Sequence, residues 1–126
     1  MNSLFKTTLF IVISVCASSV SAKSECRELA TRTFFKSDLA PIYMNRNNPE
    51  QINDSLSVIQ NSETYCKLVV KALKKKTTTV NEIRERSEEF LKLAKEKYER
   101  DGDIDALELQ KLINEVAEGS IDIAEK

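Results

Sequence analysis

The densest polar chemistry in the chain lies between residues 99 and 108, where Glu99, Asp101, Asp103, Asp105 and Glu108 cluster around Gly102. Carboxylates on a tight turn can converge their oxygens, and calcium takes about six to eight oxygen ligands. A second feature is the pair Cys26 and Cys66, whose expected chemistry is oxidation to a disulfide. A third is Lys74-Lys75-Lys76, preceded by Lys71, a basic patch of the kind that attracts anionic partners. A fourth is Phe34-Phe35. Neighbours on a helix point in different directions, so one of the two rings is expected either to be exposed as a contact for a partner or ligand or to be covered by the 37–61 segment. Phe34, Phe35, Lys74, Lys75 and Lys76 are therefore the candidate partner-binding residues.

Other chemistries are excluded by composition. The 126 residues include no His, which removes an imidazole base, a Ser-His or Cys-His nucleophile and a His metal ligand. Two glycines cannot build a Gly-rich phosphate loop. Nineteen basic against 20 acidic residues give a net charge of −1, which argues against a broad grip on nucleic acid. Glu85 and Glu89 are spaced for acid–base work but have no accompanying nucleophile or metal motif. No residue is assigned a catalytic role, and the chain is expected not to be an enzyme.

Asp101-Gly102-Asp103-Ile104-Asp105, followed by Glu108, resembles an EF-hand calcium loop. By resemblance, Ile104 matches the apolar residue at the loop centre. Asp105 and Glu108 match the late ligands, Glu108 the bidentate one. The resemblance implies a calcium site formed by Glu99, Asp101, Asp103, Asp105 and Glu108, and no other cofactor. Two departures accompany it. In the full-length register Lys97 takes the first ligand position; starting at Glu99 leaves the loop two residues short and without its second glycine. The same residues have a structural reading, in which Gly102 ends one helix and Asp103 caps the next. Acids in a first helical turn also complement the helix dipole.

The first 22 residues, MNSLFKTTLFIVISVCASSVSA, carry one charge, Lys6, then an apolar run from Leu9 to Ala17 and a small-residue end at Val20-Ser21-Ala22. This pattern is that of a secretory signal peptide cleaved after Ala22. The run is short of the roughly 20 residues that span a bilayer, so no stable membrane anchor is expected after cleavage. Lys23 to Lys126 then forms a single helical domain of 104 residues. Secretion places Cys26 and Cys66 in an oxidising compartment, and the Lys, Asn and Ile content suggests the bacterial periplasm.

Elements that position these residues follow from apolar spacing with a helical period. Ser24 is placed to cap a first helix with Cys26, Leu29, Ala30, Thr33 and Phe34 on one face. Ser37-Asp38 with Pro41 marks a break before Ile42, Tyr43 and Met44, and 45–48 reads as a polar loop. Asn48-Pro49 starts a helix with the stripe Ile52, Leu56 and Ile59, which Asn61-Ser62 is expected to interrupt. Cys66, Val69, Val70 and Leu73 form the next stripe. Thr79 and Glu82 have capping-box spacing and open a helix with Ile83, Ser87, Phe90, Leu91, Ala94 and Tyr98 on its apolar face. Beyond Gly102, Ile104, Leu107, Leu109, Leu112, Ile113, Val116 and Ile121 continue to the C-terminus, with Gly119 softening the last turns.

The expected architecture is all-α: a small four- or five-helix bundle with one disulfide, the last two helices forming an antiparallel hairpin. Export, small size and the missing catalytic groups point to a protein that acts by binding another protein, of the kind a periplasmic inhibitor or immunity protein represents. The rival expectations are a calcium-binding helical module using 99–108, a periplasmic stress chaperone and a carrier of a small apolar ligand.

Overall fold

In the computed structural model, which describes residues 25–44 and 49–126, five helices follow one another with no strand among them. The expectations for the signal peptide, for the Ser24 and Asn48 caps and for the 45–48 loop lie outside the described residues. Helix α1 covers 25–36, and its five-residue stripe is buried throughout. Ser37 ends it: both its N–H and its hydroxyl donate to the Phe34 carbonyl, at 3.1 and 2.6 Å. α2 (Leu39–Met44) is a short turn that buries Leu39 and Ala40. Pro41 lies in its first turn, where a missing N–H is harmless.

α3 (Pro49–Lys74) is one continuous helix of 26 residues. The interruption expected at Asn61-Ser62 does not occur. Asn61 points to solvent and Ser62 is packed at 4% exposure, so tertiary contact overrides the weak helix preference of both. Its early stripe is also corrected: Ile52 and Leu56 are 66% and 51% exposed. Of the later stripe Cys66, Val69 and Val70 are buried in the core and Leu73 is partly buried.

Lys76 closes α3 in the left-handed conformation at φ 59°, with Thr77 N–H bonded back to the Ala72 carbonyl at 3.0 Å. α4 (Val80–Asp101) starts on Thr79, whose hydroxyl accepts the Glu82 N–H at 3.2 Å. Gly102, at φ 71°, ends α4, and its N–H bonds the Tyr98 carbonyl. Asp103 then caps α5 (Ile104–Glu125) by accepting the Ala106 N–H at 3.0 Å.

α5 is the central element. α3 and α4 each make their main contacts with it, and α2 touches α3 and α5. Phe34, Leu39, Leu112 and Val116 form the main core with the Cys26–Cys66 disulfide, which joins α1 to α3 at a Cα separation of 5.6 Å. In the chain-entropy account, closing a loop of this length stabilises by about 4 kcal/mol. Val69, Ile83, Ala117 and Ile121 form a second cluster where α3 and α4 meet the end of α5. Gly119 also has a packing role that the sequence reading did not give it. A Cβ there would lie 2.5 Å from Leu29 Cδ1, so the glycine admits α1 against α5.

A candidate binding groove between α3 and α4

Because α3 and α4 lean on α5 separately, a groove of about 630 Å³ opens between them. Tyr65, Leu68, Val69 and Ala72 form the α3 wall. Ile83, Arg86, Ser87 and Phe90 form the α4 wall, and Gln110, Ile113 and Asn114 the floor. Thr77, Thr78 and Glu82 line the end next to the α3–α4 turn. Leu68 is 60% exposed and Phe90 52%, so each lip carries a large apolar side chain with half its surface in water.

The floor is braced by polar contacts. The Asn114 amide donates to the Ser87 carbonyl at 3.0 Å, and the Gln110 amide donates to Asn114 Oδ1 at 2.9 Å. On the outer side of the hairpin, Arg84 holds Glu118 through two nitrogens at 2.9 and 3.1 Å. That hydrogen bond lowers the Glu118 carboxyl and raises the Arg84 guanidinium. Burial raises the Tyr65 phenol, against a weaker opposite pull from the Arg86 charge.

Three of the carboxylates of 99–108, Asp101, Asp103 and Glu108, are held by neighbours. Asp103 caps α5 and lies 3.4 Å from Lys97, and its carboxyl is lowered chiefly by the Ala106 N–H. Asp101 pairs with Arg100 at 3.4 Å. Glu108 is buried and pairs with Lys111 at 3.1 Å along its own helix. Glu99 and Asp105 lie on the two helices flanking Gly102. Among the described residues no three acids, histidines or cysteines are grouped to hold a metal ion, so the structure does not bring the five together as the loop resemblance implied.

The candidate partner residues divide. Phe34 is a correction: it is fully buried, stacked on Tyr43 with ring centroids 6.5 Å apart, and is unavailable to a partner. Phe35 is 56% exposed and meets the Phe34 ring edge-on at 5.4 Å. Lys74, Lys75 and Lys76 are exposed at the end of α3, where cations complement the dipole. Phe90 and Tyr98, assigned to the buried face of α4, are exposed instead; only Ile83 of that stripe is buried. The groove residues Tyr65, Leu68, Arg86 and Asn114 were not singled out from the sequence. Their one local signal is Leu68, a large apolar residue off the Cys66–Val69–Val70 stripe.

Among the described residues no helix is long and apolar enough to cross a membrane. No protein-family model, curated protein or solved structure matches the chain.

Proposed function

We propose that this chain is an exported, non-enzymatic binding protein that seats an apolar segment of another protein between α3 and α4. The carrying observation is the pair Leu68 and Phe90, half-exposed on facing lips of an open groove. Neighbouring helices normally bury such residues against each other. Here they stand apart because each helix packs on α5. Covering the exposed half of each side chain favours association by about 1 kcal/mol apiece, and helix-in-groove recognition uses anchors of this kind. Export is supported by the pattern of residues 1–22 and by the disulfide, a bond that persists in oxidising compartments.

The test places a photo-reactive amino acid at Leu68 or Phe90 and irradiates the oxidised protein in an extract of its source. One adduct of defined mass is expected from both positions. None is expected from the same group at Arg27, an exposed residue of α1 away from the groove. Adducts no stronger at the groove than at Arg27 overturn the reading.

A further inference from the structure

The α4 lip of the groove carries one bare positive charge. Arg86 lies a helical turn after Ile83 and a turn before Phe90, on a wall that also carries Glu82 and Ser87. The other arginines of the described residues, Arg27, Arg32, Arg84 and Arg100, each lie within 4.0 Å of a carboxylate. Among the described residues Arg86 has no such partner. Glu82 stands one turn earlier at helical i,i+4 spacing, yet its carboxylate accepts the Thr78 hydroxyl at 3.1 Å instead. Tyr65 lines the α3 wall of the same groove, so the Arg86 guanidinium and the Tyr65 phenol border one space.

We infer that the segment seated in the groove carries a carboxylate beside its apolar anchors, and that Arg86 is the residue that holds it. This rests on the groove being a seat for a protein segment. The guanidinium is a planar fork that matches a carboxylate with two parallel hydrogen bonds. At the end next to the α3–α4 turn Glu82 lines the groove with the opposite charge, so a carboxylate is matched at the Arg86 position and not along the whole groove. The occupant that fits is an amphipathic helix. Apolar residues one turn apart lie between Leu68 and Phe90, and an Asp or Glu falls next to them in register with Arg86. The apolar contacts supply most of the affinity, and the charge fixes register and direction.

The experiment titrates the oxidised protein with fluorescent helical peptides built from Ala and Leu. Each has Leu at i, i+4 and i+7, and a single Glu is moved through the intervening positions. Every peptide has a Gln twin. At least one Glu peptide is expected to bind about fivefold more tightly than its twin, the upper end for an ion pair at a solvent edge. Arg86→Gln closes that gap while leaving binding of the Gln twin unchanged. Equal binding of all twins, with Leu68→Glu abolishing both, overturns the carboxylate inference and leaves the groove as a seat. No binding by any peptide overturns both readings. A dodecanoate arm separates the remaining occupant: binding of dodecanoate alone, lost in Arg86→Gln, makes the groove a site for a small amphiphile and overturns the peptide.

Discussion

The side-chain amide of Asn114 donates to the main-chain oxygen of Ser87 across 3.0 Å, from the centre of α5 to the wall of α4. Ser87 lies one turn before Phe90, so this bond helps set where the Phe90 lip stands. Gln110 orients the Asn114 amide from the turn below. Asn114→Ala removes the donor and is expected to lower stability by about 1 kcal/mol. Followed by circular dichroism, that is a fall in melting temperature of about 4–8 °C for a domain of this size. A change under one degree would show that apolar contacts alone fix the α4–α5 spacing.

Gly119 and Leu29 form a tight contact between α5 and α1, and a double-mutant cycle reads it directly. In the wild-type background Gly119→Ala sets a methyl 2.5 Å from Leu29 Cδ1. Overpacking of this kind costs about 1–3 kcal/mol, against a helix-propensity gain of about 1 kcal/mol. A net loss is expected. With Leu29→Ala already present the clash is gone, and the same change should stabilise by up to about 1 kcal/mol. Urea midpoints of the four proteins measure the reversal. The same sign in both backgrounds means that Leu29 moves aside freely.

These two contacts also show where sequence reading stops. The buried face of α1 was legible because five positions of suitable size fall on one helical stripe, and all five are buried. Helix ends at Thr79, Gly102 and Asp103 were legible because capping is local chemistry. The packing role of Gly119 was missed because a glycine's tertiary role depends on what approaches it, here a leucine 90 residues away. Asn61 and Ser62 were misread because the preference they express is smaller than the packing that overrides it. The groove was not legible at all. It arises from α3 and α4 both choosing α5 as their neighbour, a relation among three helices that no single periodicity encodes. Phe90 illustrates this: its spacing from Ile83 and Ser87 places it on the apolar stripe, yet it is 52% exposed and no helix among the described residues covers it.

Lys76 adopts a left-handed backbone at φ 59°, which a side chain disfavours and glycine accepts freely. It sits where helices most often place a glycine, with the Thr77 N–H closing on Ala72. Lys76→Gly is therefore expected to stabilise the protein by about 0.5–1 kcal/mol despite losing a cation near the helix end. Thermal melting at matched ionic strength checks this. A destabilised variant would show that the Lys76 charge outweighs its backbone strain.

The disulfide ties α1 to the face of α3 one residue on from Tyr65, and successive helical positions point about 100° apart. The bond therefore holds the core without lining the groove. Cys26→Ser with Cys66→Ser is expected to cost about 2–5 kcal/mol. Below the new melting point the variant should keep its affinity for whatever the groove binds. Comparing denaturation and binding of the two proteins separates these effects. Lost binding in a variant still folded by circular dichroism would mean that α1 controls the groove.

Two carboxyls link stability to acidity. Asp103 is lowered from its ordinary value of 3.8 chiefly by the Ala106 N–H, with Lys97 assisting and burial opposing. Glu118 is lowered from 4.5 chiefly by its hydrogen bond from Arg84, again against burial. Both folded values lie below the unfolded ones, so the unfolded chain takes up these protons first as pH falls. Their contribution is complete above the ordinary values and is lost as pH drops through the lower folded ones. Stability is expected to hold from pH 7 to about 5 and to decline below, less steeply in Asp103→Asn with Glu118→Gln. Asn keeps the helix cap without a titrating group. Added salt should weaken the Glu118 part more than the cap, because Arg84 and Glu118 are both half-exposed. Urea midpoints at pH 7, 5, 4 and 3 measure the decline. An unchanged slope in the double variant would assign the acid sensitivity to other carboxylates.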